Sequence, residues 1–456
     1  MKKKVLAIVL VAMMLLGMVA CVAPETNNPG SAAAENKFAE SGEKKAEKLT
    51  VWVEKVFSDD ANNCMKAALE RFTRDTGIDL EVEFINNTDF MTKLNAAVEA
   101  GTTPDVSTAD VRKALNYYPN TPYLDVTDLM NEIHAENPLY ESIYDISKID
   151  DNFYFIPYTS SADLMYIRKD KMEAAGITEI PTTWEEVFAL AEAITDPSED
   201  FAGLGWSLGA GDGDFENSTR EVLWNYGGGL FDENGNANAS NDINREVLGK
   251  YFDMYEKGVI PEGAVSWDGS SNNGNYLLGT VGIVVNACTL NNAMQNDEQY
   301  KELYENTIVT SLPGGPENAH HMAYIYGWGI HKDCKNVDAA KELIKYLCNA
   351  DNYAEYIELL GPTYGPVYEK EGSKEYWSEG VFKSMVDYVK GSDAYVGYPR
   401  QDVYTVAIAS QVYNAMEFSN AMNSVAAGDL TIDEALAQID AAIETARATI
   451  DEKSAK

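Results

Sequence analysis

The chain has 456 residues, which is room for about three domains at ~150 residues each. Hydrophobic residues make up 45% of it, enough for a large core, so the composition excludes disorder as the main state. Asp and Glu total 73 against 35 Lys and Arg, giving a net charge of −38. This charge argues against a nucleic acid partner, because phosphate binding depends on clustered cations, and it disfavours adsorption to an anionic membrane surface.

The N-terminus carries the most specific local pattern. Three lysines at 2–4 precede an apolar run of 15 residues over 5–19, followed by Ala20 and Cys21. The run is shorter than the ~20 residues that a spanning helix needs, and a charged start before an apolar run is typical of an export signal. Because Cys21 follows a small residue, the pattern resembles a bacterial lipoprotein signal. We expect residues 1–20 to be removed and the Cys21 thiol to be lipidated; the alternative is an ordinary secreted protein with an incidental Cys.

The stretch that follows Cys21 is rich in small and polar residues and has hardly any large apolar ones up to residue 48. Such a composition buries too little surface to offset its ordering entropy, so it predicts a flexible tether over 21–48. The other cysteines are Cys64, Cys288, Cys334 and Cys348. They show no CxxC spacing and do not make a disulfide scaffold, so we interpret them as mostly buried small apolar residues. A Cys334–Cys348 bridge remains open.

From residue 49 the pattern alternates between short strands and amphipathic helices. Residues 49–53 predict a strand, and Asp59 or Asp60 caps a helix through about 75 that ends at Gly77. A second strand over 78–85, a helix over 88–100 ended by Gly101 and a third strand starting at 104–106 follow. This alternation predicts an α/β fold with a parallel sheet and helices on its faces.

Two later helices have a capping box at their start. Thr183 with Glu186 predicts a helix that runs to about 194, and Thr431 with Glu434 predicts the last helix. In that last helix one apolar stripe is expected to be a docking face. Its members are Ile432, Leu436, Ile439, Ile443, Ala446 and Ile450.

A series of segments in a fixed order carries a family resemblance. The segments are LTVW at 49–52, the stretch 72–78, AAVEAGTTPDV ending at 106, FIPY at 155–158, YIRKDKMEAAG at 166–176, PTTWEE at 181–186, WNYGG at 224–228, GTVGI at 279–283, GWGI at 327–330 and AAKELIKYL at 339–347. From residue 49 onward the chain thereby resembles the extracellular solute-binding lipoproteins of ABC importers, in the sugar-binding branch of family 1 that includes maltose-binding protein. One departure is Asn286-Ala287-Cys288, where sugar binders often carry Gly and Trp after the Asn.

The resemblance implies a two-lobed α/β fold of the hinged type II, each lobe a mostly parallel sheet flanked by helices. The implied lobes are 49–158 with 287–325 and 162–285 with 327–456, and the chain would cross between them near 157–162, 285–288 and 324–328. Ligand would bind between the lobes, which close around it. A lipid-anchored monomer on the outer face of the cytoplasmic membrane would then deliver a carbohydrate, expected to be an oligosaccharide, to an ABC permease. The resemblance implies no cofactor, metal or catalytic residue.

A carbohydrate site combines aromatic rings, which stack on the C–H faces of a sugar, with carboxylates and amides that bind hydroxyls. The chain has 7 Trp and 27 Tyr to supply the rings. Strand ends in open α/β sheets face the ligand crevice, so residues beside predicted strand ends and motifs are the candidates. They are Trp52, Glu54, Asp105, Asp110, Tyr158, Trp206, Trp224, Tyr226, Trp267, Asn286, Trp328, Tyr364 and Arg400. Core packing is the alternative for each Trp, turn capping for Asp105, and a surface ion pair for Arg400; Trp184 is excluded because it starts a capped helix.

Other function classes stay open. The strong negative charge favours a cationic solute such as a polyamine as an alternative ligand. Gly205-Trp206-Ser207-Leu208-Gly209 matches the G-x-S-x-G elbow of hydrolases, so an esterase using Ser207, or a glycosidase using a carboxylate pair, is the alternative from another class. His320 and His321 are adjacent and would point to opposite faces of a strand, a poor metal pair. Residues 232–236 resemble the start of a calcium loop but favour a hairpin turn.

Overall fold

The computed structural model describes residues 48–56 and 58–455. The predicted signal peptide, Cys21 and almost all of the tether lie outside these residues. The strands are β1 (Leu49–Glu54), β2 (Leu80–Ile85), β3 (Val106–Ala109), β4 (Ile156–Ser161), β5 (Asp163–Arg168), β6 (Ala202–Leu204), β7 (Val281–Ala287), β8 (Thr307–Ser311), β9 (His321–Met322), β10 (Tyr324–Ile330) and β11 (Ser392–Ala394).

The α-helices are α1 (Asp59–Thr76), α2 (Asn87–Ala100), α3 (Val111–Leu115), α4 (Thr127–Glu136), α5 (Glu141–Ile146), α6 (Lys169–Ala174), α7 (Trp184–Ile194), α8 (Gly213–Asn225), α9 (Asp242–Glu256), α10 (Ser271–Leu278), α11 (Thr289–Asn296), α12 (Lys301–Glu305), α13 (Val337–Cys348), α14 (Ala350–Leu360), α15 (Glu369–Gly372), α16 (Gly380–Gly391), α17 (Val403–Asn414), α18 (Glu417–Ala426) and α19 (Ile432–Ser454). Among the described residues, no helix combines the length and apolar character required to cross a membrane.

The first sheet has five strands in the order β2-β1-β3-β10-β4. Strand β1 pairs in parallel with β2 and β3, whereas β10 runs antiparallel to both β3 and β4. In β1 the alternate residues Leu49, Val51 and Val53 are buried, as expected for a strand whose one face packs on helices. The carboxyl ends of β1, β3 and β4 therefore lie along one edge of this sheet.

The second sheet has four strands in the order β6-β7-β5-β8. Strand β5 lies between β7 and β8 and runs antiparallel to both, and β6 pairs in parallel with β7. The chain passes from the first sheet to the second at Ala162, the single residue between β4 and β5. It returns to the first sheet between β8 and β10, over residues 312–323.

This return differs from the expected lobe boundaries. Residues 287–325 were expected in the first lobe, but β8 pairs with β5 in the second sheet. Residues 327–456 were expected in the second lobe, but β10 pairs in the first sheet and α14 packs on α1. The crossings expected near 285–288 and 324–328 are therefore misplaced. The reason is that α11 and α12 turn the chain back to the sheet that it has just left, a reversal that no local pattern indicates.

Most local predictions from the pattern are confirmed. Both capping boxes form, with the Thr183 and Thr431 hydroxyls accepting from the N3 backbone N–H. Gly77 ends α1 with a φ of 74°, but Ser58 caps that helix, and the expected Asp59 and Asp60 lie in its first turn. There their negative charges interact favourably with the positive end of the helix dipole.

The apolar stripe of α19 is buried as expected, except that Ile432 is only half-buried at the first turn. Phe231 and Ala237 bridge as antiparallel neighbours, so 232–236 forms a turn rather than a calcium loop. All four cysteines in the described part of the chain are free, and Cys288, Cys334 and Cys348 are buried. A Cys334–Cys348 bridge is therefore absent.

Candidate functional site

A cleft opens at the carboxyl edge of the first sheet, where β1, β3, β4 and β10 meet. Its cavity volume is about 40 Å³. Its lining comes from four strands, from the residues that follow β1, from the start of α2, and from α14 with the loop after it. The lining residues are Val53, Glu54, Lys55, Val56, Asn87, Thr108, Tyr158, Thr159, Tyr326, Gly327, Trp328, Tyr356 and Tyr364.

Aromatic rings form one wall of this cleft. Tyr158 packs edge-on against Trp328, with ring centroids 5.9 Å apart, and lies 5.4 Å from the Tyr356 ring. Tyr326 and Tyr364 form a second edge-to-face pair at 5.7 Å. The Trp328 side chain is only 1% exposed, and its indole N–H has no hydrogen-bond partner among the described residues. The wall therefore consists of closely packed rings with one buried, unpartnered donor.

The β4–β10 pairing explains how these rings converge. Tyr326 pairs with Thr159 and Gly327 pairs with Pro157, which leaves Tyr158 as the extra residue of a β-bulge. A bulge bends the strand and redirects a side chain. Gly327 is required at this point, because a Cβ there would lie 2.0 Å from the Ile156 carbonyl oxygen.

An ion network forms the polar side of the cleft. Lys113 of α3 lies 2.9 Å from Glu54 and 2.7 Å from Asp110, and all three side chains are nearly buried. Asp110 also caps α3 by accepting from the Lys113 backbone N–H. Burial alone would raise the pKa of Asp110, but Lys113 and Arg112 outweigh it and lower that pKa below its usual value. Asp110 is therefore held as a carboxylate beside Lys113, while Glu54 itself lines the cleft, where its side-chain oxygens can accept hydrogen bonds from ligand hydroxyls.

A second group of carboxylates lies beyond the point where the chain leaves the first sheet. Asp163, the first residue of β5, accepts a hydrogen bond of 2.8 Å from the Tyr324 hydroxyl. Burial, then Glu221 and Asp214, raise the pKa of Asp163 to about 8. Burial and Asp212 raise the pKa of Asp214 to about 6. No Lys or Arg lies within 4.0 Å of Asp163, Asp214 or Glu221 in the described part of the chain, and Glu221 lies 3.3 Å from the His321 ring nitrogen.

The hydrolase motif does not assemble a catalytic triad. Ser207 is buried, and its hydroxyl accepts a hydrogen bond from the Gly209 backbone N–H. Three histidines bond elsewhere: His320 to Asp393, His321 to Glu221 and His331 to Ser107. The fourth, His134, accepts from the backbone N–H of residue 139. No group of His, Cys, Asp and Glu in the described residues has the arrangement of a metal site.

Comparison with known proteins agrees with this architecture. The family model of the bacterial extracellular solute-binding proteins matches residues 60–354. The chain belongs to this family. Its members bind solutes and are not enzymes, which removes the hydrolase alternative.

This solute-binding protein is also similar to individual relatives. A putative binding protein of Brucella abortus (strain 2308) is 25% identical over 306 residues, covering 66% of this chain and 71% of the relative. The maltose-bound T. maritima MalE3 structure has a TM-score of 0.68 at 21% identity, covering 87% of this chain and 99% of that one. The cyclic alpha-maltosyl-1,6-maltose binding protein from Arthrobacter globiformis has a TM-score of 0.71 at 18% identity, covering 89% of this chain and 100% of that one. The two-lobed fold of these binding proteins is thereby shared.

Five of the expected site residues of the solute-binding protein come together. Glu54, Tyr158, Trp328 and Tyr364 line the cleft, and Asp110 supports Glu54 through Lys113. They are contributed by β1, β4, β10, the segment after α14 and the start of α3. Whether these five bind ligand stays a prediction.

Two expected residues lie on the first sheet but point away from the cleft. Trp52 is half-buried against α2, with the Lys93 ammonium 4.5 Å from its ring centroid. Asp105 accepts hydrogen bonds from the Thr50 backbone and hydroxyl at 2.8 Å, at the amino end of β3. That edge is opposite the cleft, so Asp105 joins β1 to β3 there.

The remaining expected residues lie away from the cleft. Trp206 and Trp224 are core residues: Trp206 packs on Trp184, and Trp224 packs 5.5 Å from the Tyr398 ring. Tyr226 is buried at the end of α8, and Lys250 lies 4.8 Å from its ring.

Three further expected residues, two of them polar and one aromatic, also lie away from the cleft. Asn286 is buried and donates to Asp214 at 2.9 Å, so it belongs to the second carboxylate group. Trp267 is half-buried and packs on the core beside the Gly209 backbone. Arg400 is exposed and pairs with Asp402, the surface ion pair named as its alternative.

Sequence reasoning missed Thr108, Lys113, Tyr326 and Tyr356. Thr108 accepts from the Glu54 backbone N–H at 2.9 Å and so holds the two strand ends together. One signal was available for Tyr326, since it stands two residues before Trp328 in the same strand and could share its face. Tyr356 lies on α14, and no local pattern connects that helix with the cleft.

Proposed function

We propose that this solute-binding protein captures a carbohydrate in the cleft and delivers it to an ABC permease. One observation carries the proposal: an aromatic wall of Tyr158, Trp328 and Tyr364 faces a Glu54–Lys113 ion pair across one cleft. Rings stack on the C–H faces of a sugar, while the carboxylate accepts and the indole N–H donates hydrogen bonds to its hydroxyls. Two structural relatives that bind maltose and a cyclic maltosyl-maltose support an oligosaccharide as the ligand.

The experiment is a thermal unfolding screen of the purified chain with mono- and oligosaccharides, polyamines and short peptides. A ligand at 100 times its Kd adds about 2.7 kcal/mol to stability, which raises Tm by several degrees. We expect a rise with one class of saccharide, confirmed by calorimetric titration, and no consumption of that saccharide. A saccharide panel without any shift, or turnover of a panel member, would contradict the proposal.

A cationic solute is the second candidate, and the carboxylates Asp163, Asp214 and Glu221 favour it. No Lys or Arg lies within 4.0 Å of them among the described residues, and burial, followed by the charges of Glu221 and Asp214, raises the pKa of Asp163. The ammonium group of a ligand would attract these carboxylates and so lower the electrostatic energy of the group. The same screen separates the candidates, because a shift with spermidine alone, weakened in an Asp214→Asn variant, would select the cationic solute.

The lobes are proposed to follow the sheets. The first lobe would comprise residues 49–161 and 324–360, and the second residues 163–311 together with α18 and α19, which pack on α8 and α9. Hinge closure would bring the cleft against the second carboxylate group. Wild-type protein should become more compact in X-ray scattering when the identified saccharide is added.

The anchor is proposed to be a lipid on Cys21. The sequence pattern at 2–21 supports it, and a monomer held at the outer face of the cytoplasmic membrane would follow. Metabolic labelling with an alkyne fatty acid should mark the wild-type chain. A Cys21→Ala variant should lose the label and appear in the soluble fraction; equal labelling of both would contradict the anchor.

A further inference from the structure

A second cavity lies on the other side of α3. Its cavity volume is about 270 Å³. Its lining comes from α3, from α5 with the turn after it, and from the segment 393–406. None of its lining residues belongs to the cleft described above.

Helix α3 separates the two cavities. Lys113 points to Glu54 in the cleft, whereas Val111 and Leu115 line the second cavity. Residues four apart share a helix face, and the residue midway between them points about 200° away, so one short helix presents a charged face and an apolar face. The second cavity is therefore a separate site rather than an extension of the cleft.

Half of the residues that line the second cavity are aliphatic. Besides Val111 and Leu115, they include Ile146, Ile149, Val403 and Val406, all of them buried side chains. Sites for small molecules combine apolar side chains with polar groups that orient the ligand, and this lining supplies both. An apolar body of a ligand would be removed from water here.

Two hydroxyls in this cavity have no hydrogen-bond partner among the described residues. They are the phenol of Tyr395, whose side chain is 6% exposed, and the hydroxyl of Ser142. A buried hydroxyl without a partner costs free energy that a ligand group can recover. Both therefore favour a ligand that carries a hydroxyl or carbonyl group.

The charged groups of the lining already have partners. Lys148 lies 2.6 Å from Asp145, and Asp393 lies 2.9 Å from His320. Gln401 accepts from the Tyr395 backbone N–H at 2.6 Å. A charged ligand would have to break one of these pairs, so the lining favours a neutral molecule.

From these contacts we infer that the cavity beside Tyr395 binds a small neutral molecule with an apolar body and one hydroxyl or carbonyl group. The Tyr395 and Ser142 hydroxyls bind its polar group, and the aliphatic side chains cover its body. This site does not depend on the ligand of the cleft.

The test titrates 4-fluorobenzyl alcohol into the full chain and follows its fluorine NMR linewidth. We expect saturable binding to the wild type. Tyr395→Phe keeps the ring but removes the hydroxyl, and should weaken binding about three- to tenfold, the effect of one hydrogen bond. Val403→Phe should fill the cavity and abolish binding. Tyr255→Phe, which alters a tyrosine in neither cavity, should bind like the wild type.

Two results would overturn the inference. The first is the absence of saturable binding to the wild type up to the solubility limit of the probe. The second is an unchanged affinity in the folded Val403→Phe variant. If Val403→Phe does not fold, Tyr395→Phe decides alone, and an affinity equal to that of the wild type rejects the site.

Discussion

Lys113 and Glu54 form an ion pair of 2.9 Å that joins α3 to the carboxyl end of β1. The Lys113 side chain is 9% exposed and that of Glu54 is 11% exposed, so water screens the pair only weakly. Asp110 holds the same ammonium from the other side at 2.7 Å. The pair thus fixes the position of a ligand-facing carboxylate and links the cleft to the helix that separates it from the second cavity.

Removal of this cation should be costly. Lys113→Met leaves two carboxylates facing each other without compensation, and we expect a loss of roughly 3–5 kcal/mol in the free energy of unfolding. Chemical unfolding followed by circular dichroism measures it. Lys93→Met is the matched control, because the Lys93–Glu83 pair is exposed and should contribute at most ~1 kcal/mol. Equal losses in both variants would refute the structural role of Lys113.

The aromatic wall should determine carbohydrate affinity. Tyr364→Ala removes a ring from the cleft, and we expect at least about tenfold weaker binding of the saccharide identified by the screen, as for an aromatic contact in an interface centre. Trp52→Phe is the control, since Trp52 packs on α2 rather than in the cleft. Calorimetric titration of both variants tests the assignment; a greater loss in Trp52→Phe would reverse it.

Asp163 should make the protein less stable as the pH rises. Its pKa is about 8 in the folded chain, and ~4 is usual for an unfolded one. The folded chain therefore holds the proton more tightly than the unfolded chain. The resulting contribution to the free energy of unfolding is fully present below pH ~4 and is lost as the pH rises through about 8.

Asp163→Asn removes the charge and should be roughly 1–3 kcal/mol more stable than the wild type at pH 8.5, with the advantage shrinking at pH 5. Urea unfolding at the two pH values measures the difference. Asp253→Asn, at a surface ion pair, should show no such gain. A constant difference at both pH values would exclude Asp163 as the titrating group.

Gly327 should not tolerate a side chain. A Cβ there would lie 2.0 Å from the Ile156 carbonyl oxygen, so β4 and β10 would have to separate and Trp328 would move. We expect Gly327→Ala to cost at least roughly 1–3 kcal/mol and to weaken saccharide binding. Gly249→Ala in α9, where a Cβ would have open space, should instead gain up to ~1 kcal/mol of stability. Unfolding midpoints compare the two, and a stable Gly327→Ala would contradict the close approach.

The sequence by itself determined the parts that depend on neighbouring residues. The capping boxes at Thr183 and Thr431, the strand at 49–53 and the turn at 232–236 all form, because each depends on contacts within a few positions. The order of motifs also identified the family. Glu54 could be placed at the end of β1 from the pattern alone, because a strand end is visible there.

Only the tertiary structure decided which aromatic side chains face the cleft. Trp52 and Tyr326 both occupy half-buried strand positions, but α2 covers Trp52, whereas Tyr326 lines the cleft. The bulge in β4 then places Tyr158 beside Trp328. Where helices cover both faces of a sheet, alternation does not reveal which face is the site. The return of β8 to the second sheet was equally invisible, because strand pairing joins residues more than a hundred positions apart.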